Sequence, residues 1–354
     1  MKKLLIANAV LLACGMASAQ SSVTLFGIVD ANLGYVDADA SDKGRFGLGG
    51  HGRSTSRFGI RGSEDLGGGL KASFWLEGEV NVDDGQASGL NFRRTSILSL
   101  SGDFGEVRLG RDLLPSFLGT AIYDVWGTTG IGYYRGWDRW VASSANPDDN
   151  GIRANNLVVY RSPNYDGFSG SVGYAFDEKS LSAGGSNNVG RYMGGYLRYA
   201  NGPLSMAVAV GQQKTGDANV AADRDEFSIG GQYDIGVAKI GSILMQTSYK
   251  PDGGQSLKYN SYAVNAAIPV GGGTGMVNLS YALYDQKAIS SKSHHIAAGY
   301  DYFLSKRTTL YGIVAHMKNN DNAALGLSAR GVYTGATLAD EGQTGVQVGI
   351  RHSF

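Results

Sequence analysis

Apolar and polar residues alternate with a period of two along most of this chain. In Val277-Asn278-Leu279-Ser280-Tyr281-Ala282-Leu283 the odd positions are apolar and the even ones small or polar. Phe227, Ile229, Gly231 and Tyr233 alternate with Ser228, Gly230, Gln232 and Asp234. Val346, Val348, Ile350 and Phe354 alternate with Gln347, Gly349, Arg351 and Ser353, and Leu70, Ala72, Phe74 and Leu76 with Lys71, Ser73, Trp75 and Glu77. Successive side chains of a strand point to opposite faces, so each segment predicts a strand with one apolar and one polar face. Beyond the first 19 residues no stretch approaches the ~18 consecutive apolar residues of a membrane helix.

Such strands fit either a soluble sandwich or a barrel in lipid, and three details favour the barrel. Aromatic residues gather near strand ends, as in Tyr300 with Tyr302 and Phe303, or Tyr192 with Tyr199, in the manner of interfacial girdles. Connections alternate in length: Asn201-Gly202-Pro203 is tight, whereas the polar stretch from Lys214 to Arg224 is long. A membrane barrel has this asymmetry, with short periplasmic turns and longer outer loops. Finally, the polar positions hold Arg, Asp, Gln and Asn too often for a dry interior, so they are read as facing water inside a channel. A tilted spanning strand needs about 9–11 residues, and about sixteen alternating segments can be marked. The expected fold is all-β, a 16-stranded antiparallel transmembrane β-barrel. It must close, because an unpaired backbone amide in hydrocarbon costs several kcal/mol.

Residues 1–19 read as a removable signal peptide, with Lys2 and Lys3, an apolar run, and Ala17-Ser18-Ala19 before Gln20. Leu11-Leu12-Ala13-Cys14 loosely resembles a lipoprotein cleavage site and is the weaker alternative. Either way the chain is exported, and residues 20–354 form the barrel domain. Cys14 is the only cysteine, so processing after Ala19 leaves no thiol for a disulfide, a thiolate zinc site or a cysteine nucleophile. The 31 basic and 31 acidic residues cancel, which argues against a nucleic-acid partner. Glycine is abundant, 54 of 354, with only 6 prolines, so neither collagen nor a disordered tract is indicated. Gly173, Gly194, Gly230 and Gly299 fall on inward positions, where they are expected to keep a lumen open, alongside easing sheet curvature.

One connection is exceptional. After Glu106-Val107-Arg108-Leu109-Gly110-Arg111 no clear alternation resumes until about Leu157, leaving a loop of about 112–155. That is far beyond the ~12–15 residues of an ordinary structureless loop. It carries Trp126, Trp137 and Trp140 with Tyr123, Tyr133 and Tyr134, which need a partly buried surface. The expectation is that this loop folds into the lumen and narrows it; the alternative is a rim loop packed on neighbouring loops or subunits. Phe58 and Ile60 choose the lipid face, which assigns Arg53, Arg57 and Arg61 to the lumen. Outward placement would cost ~2–4 kcal/mol for each near mid-membrane. Arg108, flanked by Val107 and Leu109, faces inward by the same logic, and Arg94 follows from a less regular alternation. Asp124 and Asp138 on the loop would face this basic wall and set up a transverse field across the constriction. Several inward arginines without a matching surplus of inward acids imply a mild preference for anions.

Several segments together resemble the general trimeric porins of β-proteobacterial outer membranes. They are Ser22-Val23-Thr24-Leu25-Phe26-Gly27-Ile28-Val29-Asp30, Ser56-Arg57-Phe58-Gly59-Ile60-Arg61-Gly62-Ser63-Glu64-Asp65-Leu66-Gly67-Gly68-Gly69-Leu70, Leu98-Ser99-Leu100-Ser101-Gly102-Asp103-Phe104-Gly105 and Tyr160-Arg161-Ser162-Pro163. Tyr302-Phe303-Leu304-Ser305-Lys306-Arg307-Thr308 and the ending Gly349-Ile350-Arg351-His352-Ser353-Phe354 complete the set. The resemblance implies sixteen strands, a homotrimer in outer-membrane lipid and lipopolysaccharide, an inward third loop, and passive diffusion of small hydrophilic solutes and ions. It implies that Phe354 is the terminal aromatic read by the outer-membrane assembly machinery. Arg57 and Arg94 fall at motif positions of constriction arginines in anion-selective members. A further family arginine near the end of the third loop corresponds to Arg153, with Arg135 and Arg139 as alternatives. The stretch Tyr123-Asp124-Val125-Trp126 matches no family motif.

Other motifs lead elsewhere and fail on context. Gly47-Leu48-Gly49-Gly50-His51-Gly52 satisfies G-x-G-x-x-G but opens a strand, not a helix. His294 and His295 are adjacent on a strand and so point apart, poor geometry for a metal. Asp148-Asp149-Asn150-Gly151 lacks the glutamate of an EF-hand loop. No cofactor or metal is expected. The chain has neither G-x-S-x-G nor H-E-x-x-H, which leaves a substrate-specific porin and an outer-membrane barrel enzyme as rival functions, with a secreted β-rich adhesin further off.

Overall fold

The computed structural model describes residues 22–38, 44–85, 91–137, 151–177, 189–216, 221–287, 290–329, 333–334 and 338–354. The expected signal peptide, Asp138, Arg139, Trp140 and the Asp148 cluster lie outside the described residues.

The alternating segments form strands β1 (Ser22–Ala38), β2 (Arg45–Gly50), β3 (Arg57–Gly67), β4 (Leu70–Glu79), β5 (Thr95–Gly102) and β6 (Gly105–Leu113). After the long third connection come β7 (Arg153–Arg161), β8 (Phe168–Ala175), β9 (Tyr192–Asn201), β10 (Leu204–Gly216), β11 (Ala221–Asp234) and β12 (Lys239–Pro251). The wall continues with β13 (Leu257–Val270), β14 (Gly275–Gln286), β15 (Ser291–Phe303) and β16 (Thr308–Asn320). A small hairpin of β17 (Ser328–Ala329) and β18 (Tyr333–Thr334) precedes the last wall strand, β19 (Gln343–Ser353). Every neighbouring pair in the wall is antiparallel, and β1 pairs with β19, so the sheet closes on itself. The sheet has 17 strands but sixteen staves. β2 pairs with Ala31–Val36 of β1 and β3 with Ser22–Ile28, so these two share one stave interrupted at residues 51–56. Closure also fixes the terminus: Phe354 and Gly27 exchange backbone hydrogen bonds at 3.0 and 3.1 Å. A Cβ on Gly27 would strike the Phe354 ring, which needs the bare glycine beneath it.

Exposure follows the period-two pattern. Leu98, Val172 and Val348 are more than half exposed, whereas Ser99, Ser171 and Gln347 beside them are buried. Among the described residues no helix is long and apolar enough to cross a membrane; the strands are the crossing elements. Tight turns such as Gly67–Gly69 and 202–203 lie at one end of the barrel, and the long connections at the other.

Three expectations need correcting. Tyr192 is not a girdle residue: it points inward, 1% exposed, and its hydroxyl meets Ser116. Tyr199 does face outward, packed on Phe168 with ring centroids 4.7 Å apart. The polar stretch Lys214 to Arg224 is mostly strand, since β10 runs to Gly216 and β11 starts at Ala221. Polar residues there mark a strand rising out of hydrocarbon, where charge no longer implies a loop. Likewise β7 begins at Arg153, four residues before the alternation becomes visible at Leu157, because a bulge opposite Gly110 and Asp112 breaks the period.

Candidate functional site

The third connection leaves the wall at Leu114. Pro115 takes the first helical position, where its missing amide costs nothing, and opens the short helix α1 (Pro115–Ala121). The helix lies on β8, β9, β10 and β11, on the face opposite the exposed aliphatic rows. Polar wall residues of that inner face hold it: Ser116 N donates to Tyr192 Oη at 3.0 Å, and the Thr120 and Ser228 hydroxyls share a bond of 3.2 Å. The segment after the helix travels round the same face. Tyr123 reaches Ser205 at 3.0 Å, Asn265 donates to the Tyr123 carbonyl, and Trp126 Nε1 donates to Ser280 Oγ at 2.7 Å. Further on, Ile131 is gripped between Gln347 and His295, and the Trp137 carbonyl accepts from Arg224. Trp126 and Trp137 are each 1% exposed, and Trp137 meets Phe117 and Tyr134 edge-on.

The inward glycines explain how the loop fits. A Cβ on Gly230 would lie 2.5 Å from Tyr123, one on Gly299 2.9 Å from Trp126, and one on Gly173 3.0 Å from Pro115. On Gly194 it would strike Tyr192. The expectation that these glycines keep open water in the bore is therefore corrected: they make niches for the loop and for Tyr192.

The arginines fall into separate groups. Register confirms the facing of β3, with Phe58 and Ile60 opposite Gly27 and Leu25 on the outer face and Arg57 and Arg61 opposite Ile28 and Thr24 on the inner. Arg57 and Arg94 converge on the buried Glu77, with Arg94 Nε 2.6 Å and Arg57 Nη1 3.6 Å from its Oε1. Arg94 also stands 4.0 Å from Glu79, and Arg153 Nε donates to the Arg94 carbonyl at 2.8 Å. Arg108 belongs to a second cluster lower in the wall, 2.9 Å from Asp112 and 3.9 Å from Glu106, which both also meet Arg161. Arg135 is elsewhere again: its amide donates to Tyr284 and its guanidinium to the Gly326 carbonyl. Of the three candidates for the late-loop arginine, Arg153 joins Arg57 and Arg94, Arg135 does not, and Arg139 is not described. Arg61 stacks between Phe26 and Trp75.

Arg53 is not on a strand. It lies in the 51–56 turn, which Asp30 holds by accepting the amides of Gly52, Arg53 and Ser54. From there Arg53 grips Asp301 with two bonds of 2.9 and 2.7 Å, donates to the Val125 carbonyl, and covers the Trp126 ring at 5.6 Å. Asp124 is turned into its own loop, where its carboxylate accepts the amides of Trp126 and Thr128. Burial pushes its pKa up to about 6, opposed by those amides, by a backbone bond from Tyr134 and by the charge of Arg53. The basic group it senses is thus Arg53, not Arg57 or Arg94.

Sequence reading missed the acids. Glu77, Asp112, Asp30 and Asp301 all sit on inner-face positions and are buried, so the arginines have wall carboxylates beside them. The alternation had already put Glu77 inward; what it lacked was register, since only the β3–β4 pairing sets Glu77 beside Gly59 and near Arg57.

Comparison with known proteins agrees with this architecture. Residues 7–322 match the Gram-negative porin family. The chain is 58% identical over its full length, and over all of the relative, to outer membrane porin protein 32 of Delftia acidovorans. An outer membrane porin of Bordetella pertussis is 31% identical across the whole of both chains. The solved structure of an anion-selective porin from Comamonas acidovorans superposes with a TM-score of 0.89 at 57% identity, covering 95% of this chain and 100% of that one. A sixteen-stave closed barrel with porin sequence throughout is a channel of the outer membrane and not an enzyme, and this chain belongs to the Gram-negative porin family.

Proposed function

We propose that the chain conducts small hydrophilic solutes and ions by passive diffusion, with a mild preference for anions, as a homotrimer. In this reading residues 1–19 are removed on export, the connection around residues 112–155 is the constriction, and Phe354 is the assembly signal. The observation that carries it is the convergence of Arg57, Arg94 and Arg153 around Glu77, on a wall whose inner face also seats the third loop. Guanidinium groups stay charged at any relevant pH, and in a narrow bore with low-dielectric walls they attract anions and repel cations. The solved porin of similar sequence is itself called anion-selective. Arg108, Arg135 and Asp124 modulate the same field from further along the bore, and Asp138 is assigned the same role from its place in the sequence of the loop. Replacing Arg57 and Arg94 by Gln tests the assignment in planar bilayers under a salt gradient. The reversal potential should move toward the cation side, and an unchanged potential would remove both residues from selectivity.

A further inference from the structure

Below the constriction cluster the inner wall carries an arginine of a different kind. Along the inward row of β3, Arg57 is followed by Gly59, Arg61 and Ser63, and the tight turn at Gly67–Gly69 lies just beyond. Four residues of strand set Arg61 about 13 Å from Arg57, toward the tight-turn mouth. Arg57 and Arg94 meet Glu77, Arg108 and Arg161 meet Asp112, and Arg53 meets Asp301. Arg61 is exposed to the bore, and among the described residues it makes neither an ion pair nor a hydrogen bond. Its contacts are two rings: its Cζ stands 5.1 Å from the centre of Phe26 and 5.2 Å from that of Trp75.

Register builds this group. Arg61 lies opposite Trp75 of β4 and Thr24 of β1, with Phe26 one inward position above Thr24. Phe26 occupies the space over Gly59, where a Cβ would press into its ring, and it meets Trp75 edge-on with centroids 5.2 Å apart. Trp75 Nε1 donates to Glu77 Oε2 at 3.3 Å, which ties the indole to the carboxylate between Arg57 and Arg94. Both rings are half-buried, so each keeps apolar surface toward the bore on a face that is otherwise polar. The Ser63 and Ser73 hydroxyls, 3.1 Å apart, border the group on the mouth side, and beyond them Asp65 pairs in register with Lys71. A guanidinium held by its face against rings keeps its edge N–H groups free, and that edge matches the two oxygens of a carboxylate.

We propose that Arg61, Phe26 and Trp75 form a solute-binding site on the tight-turn side of the constriction, for carboxylates that carry a flat apolar ring. The carboxylate takes two N–H groups of Arg61, and the ring of the solute covers the free surface of Trp75 and Phe26. Chloride and acetate have no body to place there and meet the arginine alone. The site rests on the channel reading above, and it makes the bore hold one class of anion during passage, where the constriction arginines only favour anions in general.

The test records chloride current through the purified full-length protein in planar bilayers, with sodium benzoate or sodium acetate added at rising concentration. Benzoate should block the current saturably and about tenfold more tightly than acetate, which corresponds to covering roughly 55 Å² of ring. Arg61→Gln should weaken benzoate block about tenfold, the loss expected of a charge-assisted pair open to water. Trp75→Leu should bring benzoate down to the affinity of acetate while leaving acetate unchanged. Arg198→Gln, which removes an arginine bonded to Ser205 elsewhere on the inner wall, should leave benzoate block as it was. Benzoate block no tighter than acetate block, an unaltered affinity in Arg61→Gln or Trp75→Leu, or an equal loss in Arg198→Gln overturns the site. Crystals of the parent protein soaked with 4-bromobenzoate give a reading that needs no variant: bromine anomalous signal beside Trp75 is expected, and none there overturns the proposal. Chloride current before any addition tests the channel by itself, which keeps a failure of the site separate from a failure of the channel reading.

Discussion

Asp124 shows how a single buried carboxylate can make a pore respond to pH. Its pKa of about 6 exceeds the ordinary 3.8, so the docked loop binds its proton more tightly than a loop released from the wall. Docking is therefore most favoured below pH 3.8 and loses that advantage as pH rises through about 6, a difference of roughly 3 kcal/mol. Over the same window a negative charge appears near Arg53. Anion preference should decline between pH 4 and 7, and Asp124→Asn should flatten that decline while keeping an acceptor for the Trp126 amide. Reversal potentials measured across this range check it, and an equal pH dependence in the variant would assign the effect to other groups. At this scale the facing of Arg57, Arg61 and Glu77 was legible, because each stands next to an apolar residue of the outward row, Phe58, Ile60 or Leu76. The pairing of Arg57 and Arg94 with Glu77 was not, because it depends on register between strands separated in sequence.

The third loop and its niches belong together as one element. Trp126 fills space that a side chain at Gly299 would occupy, and Tyr123 and Pro115 do the same over Gly230 and Gly173. Gly299→Leu should push Trp126 off the wall, break its bond to Ser280 and crowd the Gly312 carbonyl of the neighbouring strand, costing about 1–3 kcal/mol of overpacking. Single-channel traces should show larger and noisier openings, with the barrel itself still folded. A conductance identical to the parent would mean that the segment near Trp126 does not line the narrowest part. Length and three tryptophans were enough to single this loop out from sequence. The glycines were legible as inward but not as sockets, since nothing local says what will press against them. Tyr192 illustrates the same limit: a tyrosine at a strand end reads as a girdle residue until α1 supplies Ser116 as its partner.

For the whole molecule, closure is the fact from which the rest follows. Pairing of β1 with β19, with Phe354 lying over Gly27, leaves no sheet edge in hydrocarbon and divides every strand into a lipid face and a bore face. The period-two pattern made the sixteen staves visible, but two boundaries escaped it. Near Lys214 the strands outlast the membrane, so charged residues there lie on strand, and a bulge opposite Gly110 and Asp112 erases the alternation between Arg153 and Leu157. The measurement that tests the account most directly is a single-channel recording of the purified protein in a planar bilayer under a salt gradient. Discrete steps with conductance rising in proportion to salt, and a reversal potential on the anion side, are predicted. A silent bilayer, or a current that reverses on the cation side, would contradict it.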